Sequence, residues 1–354
     1  MAEQYRVMVV GMGKRGVHHA AAFHANPRFS VVGLTDVDPG RLKDAAKFGS
    51  PKTGTDAAAL ARELAPDVFC FCTPPSIRAE LVKIGVDSGA RLIAFEKPIG
   101  LSSAEAMRIR DLLSGRDVKA VVSHQHRYGP HYRAAAEVIA SGALGRVHTV
   151  YGTSGGWMLH MASHLVDYMR WYNGGAEARW VMAQASGRGK LTDLHSSPDY
   201  IAGFIQFANG VRGVLECGAG APDVPEVDYW WRKCRIGAQG TDGFAEVLTG
   251  GGWRAVTKTG SSSGTGSMNY DQDMPPYIQD MADWLDGTRV HPCNFESAYK
   301  GHEIMMALVR SVLQGGQVAL PLSSGMDELA LLKEKLPDAK VILSSGVHAK
   351  EYGG

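Results

Sequence analysis

Residues 5–36, YRVMVVGMGKRGVHHAAAFHANPRFSVVGLTD, constrain the fold of this chain more than any other stretch. Tyr5 to Val10 is a short apolar run of the length of a buried parallel strand. Gly11, Gly13 and Gly16 follow at GxGxxG spacing, and a helical pattern begins at once. A second apolar run, Val31 to Leu34, leads to Asp36, twenty positions past Gly16. Each part has a physical reason. Gly11 permits a tight turn, Gly13 lets the backbone approach a pyrophosphate, and Gly16 lets helix and strand pack closely. The N–H groups at the helix start then face the phosphate charge. Asp36 can accept hydrogen bonds from a ribose diol and would repel a 2′-phosphate, which favours NAD over NADP, although Arg41 and Lys43 lie close downstream. The unit predicts a nicotinamide-dinucleotide site on Gly11, Met12, Gly13, Lys14, Arg15, Gly16 and Asp36.

The same texture continues to about residue 124. Val68–Cys72, Leu92–Phe95 and Val118–Val122 are further apolar runs, separated by helical patterns at Asp56–Leu64, Ser76–Asp87 and Ser102–Leu113. Five strands joined by helices demand right-handed crossovers and a parallel sheet. Ligands of such sheets bind beyond the carboxyl ends of the strands. That rim holds Thr73, Pro74, Glu96, Lys97 and, after the fifth strand, Gln125. A chain of 354 residues has room for two domains, predicted as 1–124 and 125–354. With 37 Lys and Arg against 36 Asp and Glu, the charge balance offers no case for nucleic acid or an anionic membrane. The first strand begins by Tyr5, which leaves no room for a signal peptide, and no apolar run reaches membrane-spanning length. Five cysteines are an odd number, and Cys70 and Cys72 sit within the apolar run VFCFC, where they read as small hydrophobes rather than metal ligands. A reduced, cytoplasmic protein is expected.

Beyond Ser123 a helix near Pro130–Ala140 precedes strand-like segments at Val147–Thr153, Ala178–Ala185, Tyr200–Phe207, Val211–Cys217, Arg232–Ala238, Phe244–Leu248 and Trp253–Lys258. Asn209-Gly210 and Thr241-Asp242-Gly243 are hairpin signals, so the second domain reads as α/β with a large, mostly antiparallel open sheet. The tract TGSSSGTGS at 259–267 reads as a surface loop. Two amphipathic stretches, Pro276–Leu285 and Phe295–Leu313, follow, and a helix at Asp327–Lys335 begins a C-terminal appendage.

The glycine loop, CTPPS at 72–76, EKP at 96–98, and HRYGP at 126–130 with the GALGRV continuation resemble the Gfo/Idh/MocA oxidoreductases, over most of residues 5–320. The resemblance implies a Rossmann domain paired with an α/β domain whose open sheet often mediates assembly, here as a homodimer or homotetramer. It also implies oxidation or reduction of a hydroxyl or carbonyl on a sugar, cyclitol or related polyol. In the family the EKP lysine orients the reacting oxygen and a histidine of the second domain exchanges its proton. On this chain those are Lys97 and His164. The chemistry agrees, because histidine titrates near neutrality and a lysine ammonium can stabilise developing charge on oxygen.

In WMLHMASHLVDYMRWY, residues 157–172, His160, His164 and Asp167 fall at i, i+4 and i+7, one face of a helix. The commoner family pattern has aspartate where this chain has His160, and glycine where it has Ala162. Asp167 is one candidate to orient His164 in its place. Alternatively Lys97, His160 and His164 together suit an anionic substrate, or His160 and His164 hold a metal, for which no third ligand is evident. His160 also reads as a satisfied structural histidine. His126 and Arg127 are placed at the rim, Trp157 against a sugar ring, Trp171 and Tyr172 in the helix core, and Trp230 and Trp231 in a packed or interface cluster. Arg78 receives no role. The expectation is an NAD-dependent dehydrogenase. Its rivals are an NAD-retaining glycoside hydrolase and a regulatory sensor that binds nucleotide or sugar without turnover.

Overall fold

A computed structural model describes residues 3–229 and 232–337. They fall into two compact units, the first drawn from 1–100, 105–128 and 270–298, the second from 101–104, 129–269 and 299 onward. This partition differs from a single cut at 124/125, because 125–128 and 270–298 group with the first unit.

In the first 124 residues the elements are β1 (Tyr5–Val10), α1 (Lys14–Ala25), β2 (Phe29–Thr35), β3 (Lys52–Gly54), α2 (Ala57–Leu64), β4 (Val68–Phe71), α3 (Arg78–Asp87), β5 (Leu92–Glu96), α4 (Ser103–Leu113) and β6 (Lys119–Ser123). The strands form one parallel sheet in the order β3-β2-β1-β4-β5-β6. Strands build outward in both directions from the β1–β4 pair, so the crevice at its carboxyl end is the topological switch point. The uninterrupted apolar runs follow from covering both faces: Val7, Val9, Val68, Phe69, Cys70, Leu92 and Phe95 are all fully buried. The sixth strand, β3, has no sequence signal, because Lys52-Thr53-Gly54 is a short exposed edge with nothing apolar to mark it. Asp56 caps α2 as expected, its Oδ1 accepting from the Ala59 N–H at 2.9 Å.

The remaining elements are α5 (Pro130–Ala140), β7 (Val147–Ser154), α6 (Met158–Tyr172), β8 (Ala178–Ser186), β9 (Tyr200–Phe207), β10 (Arg212–Gly218), β11 (Cys234–Gly240), β12 (Gly243–Leu248), β13 (Trp253–Thr257), β14 (Gly260–Gly264), α7 (Tyr270–Leu285), α8 (Phe295–Gln314), β15 (Val318–Ala319) and α9 (Glu328–Lys335). The second sheet runs β14-β13-β12-β11-β7-β10-β9-β8-β15 and is antiparallel except where β7 meets β10. Helix α6 lies on β7, β10 and β11. It comes close because Gly152 and Gly213 carry no side chain: a Cβ on either would stand 3.0–3.1 Å from Met169.

Two local expectations are corrected. The serine-rich tract is not a loop throughout, since Gly260–Gly264 pairs with β13 as the sheet's edge strand. An edge strand needs only backbone pairing, and these serines stay exposed. Helix α7 starts at Tyr270 rather than at Pro276, carrying Pro275 and Pro276 inside it. The lost N–H bonds are outweighed by burial of Met274, Tyr277, Ile278 and Met281 in the first unit's core, each at most 3% exposed.

Helix α9, which opens the appendage, is tied into the second unit. Asp327 caps α9, and the fully buried Glu328 accepts from Arg310 Nε at 2.8 Å and from the Ser103 N–H at 2.9 Å. Among the described residues no helix is long and apolar enough to cross a membrane.

Candidate active site

The glycine loop begins where β1 ends. Gly11 has φ +85°, and a Cβ there would lie 2.6 Å from the Cys72 carbonyl oxygen, while one on Gly16 would lie 1.9 Å from that of Gly11. Only glycine fits at either position. Gly13 is different: it caps α1 without a side-chain hydrogen bond, and the nearest atom to a Cβ would be Arg41 Nη1 at 3.6 Å. The space over the helix N-terminus is therefore open to a ligand, with first-turn N–H groups unclaimed by a capping side chain. A cleft of about 430 Å³ adjoins it, lined among others by Gly11, Asp36, Arg41, Thr73 and Pro74. Asp36 is preset there: Oδ2 accepts from the Met12 N–H at 2.7 Å and Oδ1 from the Asp38 N–H at 2.9 Å. Arg41 Nη1 stands 3.5 Å from Asp36. The residues fit a dinucleotide. Lys14 is exposed on the first turn of α1.

At the end of β5, Glu96 turns back toward α1. Its Oε1 accepts from Arg15 Nε at 2.8 Å and lies 3.1 Å from His19 Nε2. Burial alone would raise this carboxyl, but the Arg15 guanidinium and the His19 hydrogen bond hold it well below the usual carboxylate range. Glu96 and Arg15 thus pair with each other, and Arg15 also lies 4.2 Å over the Tyr270 ring. Lys97 is half-buried just beyond Glu96. Its carbonyl accepts from Arg78 Nη2 at 3.1 Å, and the Thr73 carbonyl accepts from the same nitrogen at 3.3 Å. Arg78, 2% exposed, therefore ties the Thr73-Pro74 turn to the Lys97 turn, and burial pulls its guanidinium down to about 10. Sequence reasoning assigns it no role, because its partners are backbone carbonyls that no sequence pattern marks.

Gln125, His126 and Arg127 lie on the short turn after β6. Gln125 is buried against Ser123, and His126 Nδ1 is 2.7 Å from Asp273 on α7, both buried. His126 is thus engaged inside the first unit; Arg127 is half-buried.

In the second unit Trp157 caps α6, and His160, His164 and Asp167 all lie on that helix. His164 is 8% and Asp167 2% exposed. His164 Nδ1 lies 3.0 Å from the Tyr168 hydroxyl, one turn on, with the rings stacked at 5.8 Å. In the tautomer whose Nδ1–H donates to that hydroxyl, the imidazole's basic nitrogen is Nε2. The segment between β8 and β9 closes over the start of α6: Ser197 Oγ accepts from the Leu159 N–H at 3.0 Å, Lys190 Nζ stands 5.0 Å over the Trp157 ring, and His195 packs edge-on against His160 at 5.0 Å. Sequence reasoning misses Tyr168, Lys190 and His195, the latter two because nothing local marks a loop residue as facing a distant helix. Tyr172 is buried in the core with its hydroxyl donating to the Tyr132 carbonyl, and Trp171 is half-buried beside it. Trp230 and Trp231 lie outside the described residues.

Comparison with known proteins bears out the family resemblance. Residues 5–124 match the family model described as an oxidoreductase family with NAD-binding Rossmann fold, and residues 132–246 match the GFO/IDH/MocA C-terminal domain. The chain is 25% identical over 225 residues to inositol 2-dehydrogenase of Rhizobium meliloti, spanning 59% of this chain and 67% of the relative. It is 24% identical over 243 residues to the scyllo-inositol 2-dehydrogenase (NAD(+)) of Bacillus subtilis, spanning 63% and 69%. Levoglucosan dehydrogenase, solved with NADH and levoglucosan, shares the fold with a TM-score of 0.77 at 19% identity, over 90% of this chain and 100% of that one. With both halves matched in sequence and the parallel and mixed sheets in place, the chain belongs to the Gfo/Idh/MocA family of NAD-binding oxidoreductases.

Proposed function

We infer that this oxidoreductase is an NAD-dependent dehydrogenase acting on a secondary hydroxyl of a sugar, glycoside or cyclitol. The observation that carries the reading is the dinucleotide cradle: open space over Gly13, with an Asp36 carboxylate already oriented by two backbone N–H groups. A ribose diol can donate to that carboxylate, whereas a 2′-phosphate would meet its charge, which favours NAD over NADP. Arg41 beside it softens that preference.

When bound, the nicotinamide supplies the hydride acceptor, and the protein supplies position and charge. Lys97 donates a hydrogen bond to the substrate oxygen and stabilises the negative charge that grows as the C–H bond breaks. Its backbone is held for this by Arg78 on the Lys97 carbonyl. His164 Nε2 takes the hydroxyl proton and returns it in the reverse direction, with Tyr168 holding the ring. Trp157 offers an apolar face to a sugar ring, and His160 is an additional polar contact for the substrate. The named relatives, which are inositol and levoglucosan dehydrogenases, support this substrate class. The second sheet exposes Met182 and Phe204 at more than half of their surface, which supports assembly as a homodimer or homotetramer.

The test is NADH formation across sugars, uronates, glycosides and inositols, with NAD and NADP in parallel and released aglycone measured in the same samples. Turnover with NAD on one group is the expected result. Aglycone release without NADH would replace the reading with a hydrolase that retains NAD, and binding of NAD without any turnover would replace it with a sensor.

A further inference from the structure

We propose that His19, Cys70 and Cys72 form a binding site for a thiophilic d¹⁰ cation of the zinc or cuprous type, beneath the glycine loop. Along the strand alone the Cys-x-Cys pair reads as two small hydrophobes. Alternation along β4, however, places Cys70 and Cys72 on one face of the sheet. The facing helix, α1, brings His19 onto them. The ligand atoms of the three residues all lie within 4.8 Å of one another, and Cys70 Sγ is 3.8 Å from His19 Nδ1. Two ligands at ordinary zinc–sulfur and zinc–nitrogen lengths stand about 3.6–3.8 Å apart, so the pocket needs little contraction to close on an ion.

The surroundings fit a metal better than an apolar core. His19 is fully buried, and its far nitrogen, Nε2, faces the Glu96 carboxylate at 3.1 Å. That contact orients the ring so that Nδ1 faces the sulfur side, which is how carboxylates commonly orient a metal-bound histidine, and an entering ion would displace the Nδ1 proton. The charges also close for zinc, and a cuprous ion needs only one of the two sulfurs as thiolate. Two thiolates balance a divalent ion, while Arg15, 2.8 Å from Glu96, balances the carboxylate. Two thiolates and one imidazole select soft or borderline ions and disfavour magnesium and calcium. Three protein ligands suit a trigonal cuprous ion, or zinc with one further position. Cys72 also lines the dinucleotide cleft, and its carbonyl backs Gly11. The ion therefore braces α1 against β4 where the cofactor phosphates are read.

The experiment titrates the reduced full-length protein with Co²⁺ as a spectroscopic probe, then displaces it with Zn²⁺; a parallel arm measures Cu⁺ by competition with a chromophoric chelator. One equivalent of cobalt giving an intense thiolate charge-transfer band, lost in Cys70→Ala and in Cys72→Ala and at least tenfold weaker in His19→Gln, is the expected result. An unchanged circular-dichroism spectrum and a cooperative urea transition show that each variant is folded. Should a variant fail to fold, the wild type decides: bound Zn²⁺ or Cu⁺ must protect Cys70 and Cys72 from alkylation, mapped by peptide mass spectrometry. A band that persists in the Cys70→Ala/Cys72→Ala variant, or equal alkylation with and without both metals, overturns the site. Tighter binding of Cu⁺ than of Zn²⁺ would identify the trigonal form, and the reverse the zinc form.

Discussion

The rim of the first unit and helix α6 of the second both hold polar groups out of water, by different means. At the rim the partners are charged: Glu96 between Arg15 and His19, and Arg78 across two carbonyls. On α6 the ring nitrogen of His164 meets a neutral phenol, and His160 meets another imidazole. A closed set of opposite charges fixes geometry and cannot change protonation cheaply. A histidine on a phenol keeps its charge open, which is what a proton acceptor requires. The first arrangement suits a frame and the second a working group.

Substitution at each should therefore fail in a different way. His164→Ala is expected to lower kcat by about 10²–10⁴-fold while the melting temperature and NAD affinity stay near wild type. Unchanged turnover on the true substrate would remove His164 from the chemistry and break the contrast. Glu96→Leu is expected to do the reverse, because Arg15 and His19 would lose the buried carboxylate between them. Breaking such a pair on one side costs roughly 3–5 kcal/mol, read as a lower denaturant midpoint at unchanged slope. A loss well below that range would mean the rim is less committed to its charges than its geometry implies.

The contrast also explains what could be read from the chain. The rim is legible because its residues are adjacent in sequence or set by a fixed motif: Gly11, Gly13, Gly16, Asp36 and Glu96-Lys97-Pro98 sit at strand ends whose apolar runs announce themselves. Arg78 is not, since its partners are backbone carbonyls and carbonyls have no sequence signature. On α6 the 3.6-residue period sets His160, His164 and Asp167 on one helix, but it does not mark Tyr168, whose hydroxyl stands 3.0 Å from His164 Nδ1. An aromatic at i+4 reads as core, and only the rotamers reveal that its hydroxyl reaches the imidazole. Lys190 and His195 come from a connection whose path no local pattern dictates. The cation-site residues are visible one by one, but their meeting depends on how α1 lies against β4.

His291 sharpens the comparison from inside the first unit, as a histidine that the frame keeps neutral. It is fully buried, Nδ1 accepts from the Cys293 N–H at 3.0 Å, and Nε2 lies 3.0 Å from the Tyr277 carbonyl. Burial, with Arg289 and Arg127 nearby, pulls it down to about 4. An unfolded histidine titrates near 6.5, so between pH 6.5 and 4 the unfolded chain holds a proton that the folded one lacks. The stabilisation is complete above pH 6.5 and is lost as pH falls toward 4, by roughly 3 kcal/mol. Urea midpoints across that window should drop steeply for the wild type and more gently for His291→Gln. Parallel curves would show that His291 is not what the acid limb reports.

The smallest expected effect decides which group orients His164. Tyr168→Phe removes one hydroxyl and leaves the stacked ring, so it should cost about 1 kcal/mol, or roughly fivefold in kcat/KM for the substrate. Stability and NAD affinity should move little, and the acid limb of the pH–rate profile should shift, because the phenol is the group seen on Nδ1. The helical spacing makes Asp167 one candidate for that role, and it lies buried on the same helix one residue before Tyr168. Asp167→Asn is therefore the counterpart. If it shifts the pH profile and lowers kcat/KM more than Tyr168→Phe does, the proton acceptor is held by a carboxylate after all. Helix α6 would then use charge as the rim does, and the division between a charged frame and a working histidine held by a phenol would fall.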